Sequence, residues 1–216
     1  MSGKKEQTNM AQDLRPRCLY LVRDAFGRQL AEHRRAPGEL RVSFEEFLDG
    51  SAPRADVVVP VHSGGAPELR DEVDRVCAER GTPSVGLQLL PTKLLCGPAV
   101  APGRTACYAC YRKRTAQHAG TARPYDMDAA LVGLPEGFGP LHLAVASGLL
   151  DLALADLTAE PAAAGATVRS FSLVSGAVSA ASTVSVDRCP RCGDRFARER
   201  PDDAMPFPEL LRQGGN

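Results

Sequence analysis

The amino-acid sequence predicts an α/β fold with a mainly parallel β-sheet and a cysteine-based metal site. Two observations carry this prediction. In residues 1–95, short apolar runs rich in β-branched side chains alternate with segments of helical periodicity, as in β-α-β units. In the rest of the chain, two pairs of cysteines have the spacing CxxC, which is typical of metal-binding turns. With 216 residues, 44% of them apolar, the chain can bury the core of one domain.

Each element at the start of the chain follows from a local pattern. The apolar run 19–22 predicts a strand, and Phe26, Leu30 and Ala31 after it have the spacing of one helix face. The stretch GELRVSF alternates as a half-buried strand does, and EEFLDGSAPR predicts a short helix that ends at Gly50. The run ADVVVP is continuous and β-branched, as in strands buried on both faces of a parallel sheet.

The strand-helix pattern then repeats. The segment APELRDEVDRVCAERG places Leu69, Val73, Val76 and Cys77 on one face of a helix that ends at Gly81, and PSVGLQLL predicts the next strand. Strands that alternate with helices at this spacing favour right-handed crossovers and a parallel sheet covered by helices. The first half is therefore predicted to be Rossmann-like.

The second half has a different pattern. We predict an irregular cysteine segment and then a polar loop containing Pro124 and Pro135. A helix is expected at 141–157, shorter than the roughly 20 residues of a membrane span. Its faces are nearly all apolar, so a homodimer or a heteromeric complex is expected to cover it. The run ATVRSFSLVSGAVSAASTVSV predicts a β-hairpin that turns near Ser175 and Gly176.

Charge and composition set the domain limits and the compartment. We predict one domain at 18–197, with tails at 1–17 and 198–216. Twenty-six basic residues balance 26 acidic ones, so no overall charge favours binding to nucleic acid or to an anionic membrane. The N-terminal segment lacks the apolar region of a secretory signal, and a cytoplasmic protein is expected.

The four cysteines of the CxxC pairs are the candidate metal ligands. They are Cys107 and Cys110 in CYAC, and Cys189 and Cys192 in CPRCG. Zinc takes four ligands in a tetrahedron, and four thiolates leave no open position, so a structural zinc site is predicted. A thioredoxin-like redox pair and a chance spacing are the alternatives, although redox motifs usually occur as one pair. The other cysteines are expected to be buried apolar side chains: Cys18, Cys77 and Cys96.

These features together resemble a known superfamily. The order is a Rossmann-like half, CGPAVAPGRTACYACYRKR, the apolar helix LHLAVASGLLDLALADL, sheet strands and RCPRCG. It resembles the ubiquitin-activating-like superfamily, the adenylating enzymes of the ThiF and MoeB type. In particular it is similar to the divergent members that are partners of YcaO proteins in making thiazole- and oxazole-modified peptides. The resemblance covers about residues 18–195.

The nucleotide site that this resemblance implies is altered. In the adenylating relatives the first strand leads into a glycine-rich turn whose backbone approaches the nucleotide. Aligned on Gly27, the stretch VRDAFG has Val22 and Asp24 at the first two glycine positions. A side chain and a negative charge then occupy the place of a phosphate. ATP binding and adenylation are therefore expected to be lost.

Two other family residues are replaced. Where the relatives have an aspartate after the DVVV strand, this chain has PVHSGG with His62, and Asp56 is expected only at the edge of the strand. The thioester cysteine of the superfamily, when present, lies between the first CxxC pair and the apolar helix. The segment 111–140 contains no cysteine, so thioester formation is also expected to be lost.

The function implied by the resemblance is a supporting one. In azoline-forming systems the YcaO protein carries the ATP-dependent cyclodehydration, and its partner presents the precursor peptide. We predict a non-adenylating partner subunit that binds a YcaO-type enzyme and precursor peptide. About 17 residues precede the first strand, too few for the winged-helix-like recognition module that such partners often carry. Leader binding is therefore expected in another subunit, or at the sheet edges by strand addition.

Two alternative functions stay open. One is an active adenylyltransferase that acts on a peptide or sulfur-carrier C-terminus. The other is a zinc-dependent interaction protein without a peptide partner.

Basic residues and two histidines are further candidates. Four cations follow the first CxxC pair: Arg112, Lys113, Arg114 and Arg123. They are candidates for binding an acidic leader peptide or a phosphate, although such a cluster more often lies on a solvated surface. His62 lies where a strand opens into a loop, without an evident aspartate or cysteine for a triad. His142 is expected to be an interior or interface histidine with its hydrogen bonds satisfied.

Overall fold

The structure is a computed structural model that describes residues 16–35, 38–119, 137–158 and 166–193. Within these ranges seven β-strands form one sheet with helices on both faces. The strands are β1 (Cys18–Val22), β2 (Leu40–Val42), β3 (Val57–Ser63), β4 (Ser84–Leu90), β5 (Lys93–Val100), β6 (Ala166–Ser172) and β7 (Val178–Thr183). The helices are α1 (Ala25–His33), α2 (Phe44–Leu48), α3 (Pro67–Arg80), α4 (Tyr108–Ala119) and α5 (Pro140–Thr158).

The sheet is mixed, with the strand order β2-β1-β3-β4-β5-β6-β7. The pairs from β2 to β4 are parallel, so the parallel sheet predicted for the first half is confirmed. The pairs from β4 to β7 are antiparallel, and the prediction of a mainly parallel sheet is wrong for the second half. Only residues 91 and 92 separate β4 from β5, and such a short connection can join only antiparallel neighbours.

The strand order reverses direction between β1 and β3. The chain leaves β1 toward β2 on one side, and β3 pairs with the other side of β1. In open α/β sheets, ligands bind in the crevice beyond the carboxyl ends of the two strands at such a switch point. In a sheet of this topology, a nucleotide site is therefore expected beyond the carboxyl ends of β1 and β3.

Alternation along the parallel strands separates two apolar cores. Tyr20 and Val59 belong to the core beneath α1 and α5. Leu21 and Val58 belong to the core beneath α2 and α3 on the opposite face of the sheet. The three cysteines outside the CxxC pairs are buried, as predicted.

The segment that the sequence predicts to be irregular contains β5 and the start of α4, so that prediction is wrong. Gly97 and Pro98 are typical of chain breaks, but here they lie within β5. A Cβ atom on Gly97 would lie 2.5 Å from the carbonyl oxygen of Thr167, so glycine allows β6 to approach closely. Helix α4 is short of apolar side chains and rich in cations, which hides its periodicity.

The apolar helix α5 is longer than predicted. It spans 19 residues, Pro140–Thr158, and has the length and composition of a membrane span, so the prediction that it falls short is wrong. One such helix is weak evidence for a membrane protein, because a buried core helix can have the same length and composition. Seven α5 residues are buried, and they pack beneath the sheet: Leu143, Ala146, Leu149, Leu150, Ala153, Leu154 and Leu157. Leu141 and Leu152 stay 69% and 54% exposed.

The other predictions of the second half divide in two. The β-hairpin is confirmed, since β6 and β7 pair in antiparallel register around a turn that contains Ser175 and Gly176. The polar loop with Pro124 and Pro135 lies outside the described residues, as does most of both predicted tails. The domain limits at 18–197 therefore stay a prediction.

Gly27 offers a test of how closely α1 packs on β3. A Cβ atom there would lie 2.7 Å from the carbonyl oxygen of Val61. We expect Gly27→Ala to lower the free energy of unfolding by about 1–3 kcal/mol, as overpacking does, measured from the urea midpoint. Gly148→Ala in α5 is the control, because no atom lies within 4 Å of its Cβ position. Equal midpoints for the two variants would contradict this packing.

Candidate metal centre and the closed switch point

Two segments of the chain bring the four CxxC cysteines together. Cys107 precedes α4 and Cys110 lies in its first turn, while Cys189 and Cys192 lie in the turn after β7. All four are buried, and their Sγ atoms lie within 4.8 Å of one another. The Sγ atoms of Cys107 and Cys189 are 3.6 Å apart, as are those of Cys110 and Cys192.

These distances fit metal ligands and exclude disulfide bonds between the paired sulfurs. A disulfide brings two sulfurs to about 2.05 Å. Four thiolates around zinc at about 2.3 Å lie roughly 3.8 Å from one another in a tetrahedron. The separations in the cluster, from 3.6 Å to at most 4.8 Å, are close to that value. The four sulfurs could therefore hold one metal ion of the kind that soft thiolates bind, a class that includes zinc.

The turn CPRCG has the tight geometry of a metal-binding knuckle. The N–H group of Cys189 donates to the carbonyl oxygen of Val186 at 3.2 Å, and that of Gly193 donates to the carbonyl oxygen of Cys189 at 2.7 Å. A Cβ atom on Gly193 would overlap this carbonyl oxygen. The glycine after the second cysteine is thus required by the close approach of the backbone.

Two polar groups from the chain face the sulfurs. The N–H group of Val186 donates to Cys110 Sγ at 3.2 Å, and the Ser185 hydroxyl lies 3.7 Å from Cys192 Sγ. Hydrogen bonds of this kind stabilise thiolates and orient them toward a metal. The segment between β7 and the second CxxC pair therefore completes the surroundings of the cluster.

The pKa values of three cluster thiols are shifted by burial and by the neighbouring sulfurs. The hydrogen bond between Cys107 and Cys192 lowers the pKa of Cys192 to about 4, and it raises the pKa of Cys107 far above its usual range. Burial raises the pKa of Cys110 to about 11. A set of four buried thiolates requires the positive charge of a bound metal.

An arginine inside the CPRC turn ties the cluster to α3. Arg191 Nη1 lies 2.9 Å from Asp71 Oδ1 and 2.7 Å from Asp74 Oδ2. The Asp74 side chain is only 3% exposed, so this ion pair is largely shielded from water. Nothing in the sequence pattern relates positions 71, 74 and 191, and the sequence analysis missed them.

A buried cation, Arg70, lies on α3 beside α4. The guanidinium of Arg70 lies 5.1 Å from the centre of the Tyr108 ring, and its Nη1 is 3.5 Å from the carbonyl oxygen of Pro60. Any side chain at Gly86 would overlap this guanidinium. Burial lowers the pKa of Arg70. Arg70 thus fixes α3, β4 and the start of α4 relative to one another.

The crevice at the switch point is filled by the carboxylate of Asp24. This residue caps the N-terminus of α1, and its Oδ1 accepts from the N–H group of Gly27 at 2.9 Å. Its Oδ2 accepts from the N–H and hydroxyl groups of Ser63, at the end of β3, at 2.6 and 3.1 Å. Donors at a helix N-terminus and at a strand end are of the kind that bind phosphate in nucleotide-binding α/β sheets.

The two other residues considered at this site have structural contacts. His62 is buried, its Nδ1 lies 3.1 Å from the carbonyl oxygen of Gly64, and its ring contacts the edge of Phe44. Burial lowers the pKa of His62 to about 4, so the ring is neutral at pH 7. Asp56 Oδ2 accepts from the N–H group of Arg17 at 2.8 Å, which holds the edge of β3 as predicted.

Three of the four predicted basic residues lie in the described part of the chain, and each has different surroundings there. Arg112 pairs with Glu68 of α3 at 3.3 Å, and Lys113 is exposed. Arg114 donates from Nη2 to the carbonyl oxygen of Ser185 at 3.1 Å, beside the cysteine cluster. Arg123 lies outside the described residues. His142, predicted to be satisfied, is half-buried and accepts from the N–H group of Gly139 at 3.0 Å.

Comparison with known proteins gives matches by structure only. No family model and no curated protein matches the sequence. The heterocyclase TruD superposes with a TM-score of 0.56 and 18% identity, over 95% of this chain and 33% of that one. The E. coli microcin synthetase McbBCD complex gives 0.57 and 13%, over 87% and 77%. E. coli MccB with succinimide gives 0.55 and 15%, over 86% and 69%.

The chain has the fold of these heterocyclase and microcin-synthetase proteins. The predicted resemblance is thereby confirmed at the level of the fold. The chain spans about a third of the length of the heterocyclase TruD, so it matches one part of that protein.

The cysteine cluster gives a direct test. We expect the purified protein to contain one zinc ion per chain by elemental analysis, and Cys107→Ser or Cys189→Ser to give insoluble protein. Structural zinc contributes on the order of 10–16 kcal/mol to the folding of small zinc domains. Cys77→Ala, in the core beneath α2 and α3, is the control that keeps its zinc. A soluble, folded and zinc-free serine variant would show that no metal is needed.

The closed crevice gives a second test. Asp24→Ala removes the cap of α1 and the bonds to Ser63. We expect the free energy of unfolding to fall by about 1–2 kcal/mol, the range for loss of an N-cap. Asp24→Asn, which keeps one carbonyl oxygen, should lose less. Urea unfolding of the three proteins measures this order, and an unchanged midpoint in Asp24→Ala would rule out the inferred role of the carboxylate.

Proposed function

We propose that this chain is a non-adenylating, ThiF-like partner subunit in a complex that forms azolines in a ribosomally made peptide. Its partners are a YcaO-type enzyme, which carries the ATP-dependent cyclodehydration, and the precursor peptide. One observation carries the proposal: the carboxylate of Asp24 lies where the phosphate of a nucleotide would bind. The fold shared with TruD and the McbBCD complex supports the setting of peptide modification.

The electrostatics of the crevice disfavour a nucleotide. A phosphate at the N-terminus of α1 would meet the negative charge of Asp24, which already accepts the hydrogen bonds that the phosphate needs. Removing that carboxylate would break its three hydrogen bonds to the backbone and side chain around it. The buried, neutral ring of His62 stands where the adenylating relatives have an aspartate. These features support a scaffold role over the alternative adenylyltransferase.

The zinc ion that we propose in the cysteine cluster has a structural role. Four thiolates close its coordination shell, so it would have no position for a substrate or water. Its ligands would be the four CxxC cysteines: Cys107, Cys110, Cys189 and Cys192. In this role the metal holds α4 and the turn after β7 in place, and it supplies no chemistry to a substrate.

Two surfaces are proposed to contact partners in the cytoplasm. The exposed side of α5, which presents Leu141 and Leu152, is proposed as a protein interface, with either a second copy or the YcaO-type enzyme. The basic side chains that follow the first CxxC pair are proposed to contribute to peptide binding: Arg112, Lys113, Arg114 and Arg123. An acidic leader would complement their charge.

Co-expression with the neighbouring genes tests this function. We expect a YcaO-type enzyme and its precursor peptide to be retained when this chain is captured by a tag. Leu152→Asp should reduce retention of a protein partner, whereas Gln29→Asp, an exposed change in α1, should leave it intact. The chain alone should show no exchange between ATP and pyrophosphate. Dependable exchange by the purified protein would overturn the proposal in favour of the adenylyltransferase.

A further inference from the structure

The two edges of the sheet differ in how they are protected. Edge strand β2 has three residues, and its central Arg41 lies 3.8 Å from Glu32 of α1. Short edge strands with a charge resist pairing with other chains. Edge strand β7 has six residues, VSAAST, with neither charge nor proline. It therefore has none of these sequence features that prevent the addition of another strand.

The register of the β-hairpin shows which backbone groups face outward. The N–H group of Ser172 donates to the carbonyl oxygen of Ala177, so Ala177 belongs to a hydrogen-bonded pair. Such pairs alternate along an antiparallel ladder. The N–H and C=O groups of Val178, Ala180 and Ser182 consequently point away from β6. In the described part of the chain, no strand pairs with this side of β7.

A groove runs beside this edge on the α4 face of the sheet. Its volume is about 530 Å³. Val168, Ala181 and Thr183 form its floor, and Tyr111, Arg114 and Thr115 of α4 form its wall. In a strand added to β7, every second side chain would point to the α4 face and could enter this groove. The groove and the outward backbone groups thus form one surface.

The positive charge of α4 indicates which kind of peptide would bind as an added strand. Helix α4 carries three consecutive cations, Arg112 to Arg114, and no carboxylate. Of these three cations, Arg114 lies in the groove wall. A segment with acidic side chains complements this helix, whereas a basic segment is repelled.

We propose that β7 binds an extended acidic peptide as an eighth strand, with alternate side chains in the groove beneath α4. The peptide's backbone would pair with Val178, Ala180 and Ser182, and its acidic side chains would face Arg114. The inference rests on the proposed function and assigns this edge as the subsite for the precursor peptide.

The test uses the full chain and a defined probe. The probe is a fluorescein-labelled 12-residue peptide that alternates valine and glutamate, and its control alternates valine and lysine. We expect fluorescence anisotropy to show binding of the acidic probe at least tenfold tighter than that of the basic control. Failure of the wild-type chain to bind the acidic probe would overturn the inference.

Variants locate the binding to β7. Ala180→Pro removes an outward N–H group and leaves the ladder to β6 unchanged, so at least a tenfold loss is expected. Ala180→Ser keeps the N–H group and is expected to bind as the wild type does. Thr115→Glu places a negative charge in the groove wall without touching the strand, so it should also weaken binding of the acidic probe. Wild-type affinity in both Ala180→Pro and Thr115→Glu would overturn the inference.

Two other occupants of the edge are outcomes of the same experiment. If the chain is a dimer that Ala180→Pro converts to a monomer, and the probe does not compete with the dimer, β7 pairs with a second copy and the inference fails. If the probe binds only after removal of residues 194–216, that segment occupies the edge and the inference also fails.

Co-expression separates this inference from the proposed function. Equal retention of the YcaO-type enzyme and precursor by Ala180→Pro and the wild type would reject the edge as the subsite and leave the proposed function standing. Binding of the acidic probe by a chain that retains neither partner would support strand addition and reject the proposed function.

Discussion

Four sulfur atoms join segments of the chain that lie 82 positions apart, and the second half of the structure depends on this junction. Cys107 stands at the start of α4, and Cys189 follows β7. Arg191, between the cysteines of the second pair, reaches two carboxylates of α3. Helix α4 is thereby held over β5 and β7, and the groove along the sheet edge exists because α4 stands there. A metal at this junction would stabilise three elements at once.

The closed switch point is a second, independent constraint. In nucleotide-binding α/β sheets, the hydrogen-bond donors at the switch point bind an anionic group of the ligand. Here Asp24 supplies the anion from within the chain and joins the start of α1 to Ser63 at the end of β3. The crevice is thus stable without a ligand. Together the two constraints hold α1 against the end of β3, and α4 against the turn after β7.

Local patterns predicted the parallel half well, because its strands are continuous apolar runs and its helices have clear apolar faces. The CxxC spacing likewise predicted the cysteine cluster, because two cysteines at this spacing are typical of a metal-binding turn. Strand β5 was missed because Gly97 has the signature of a break, although it serves the close approach of β6. The contacts of Arg70 and Arg191 were missed because a buried or partly buried cation has the same sequence signature as an exposed one. Such contacts depend on tertiary structure alone.

The two proposed contact surfaces lie on opposite faces of the sheet, and neighbouring residues of β6 show this directly. Arg169 pairs with Asp156 of α5, with Nη1 and Oδ2 2.6 Å apart. Val168 points the other way, into the groove beside α4. The sheet would therefore lie between a protein bound to the exposed side of α5 and a peptide bound in the groove. Under the proposed function, this separation would let the chain hold an enzyme partner and a peptide at the same time.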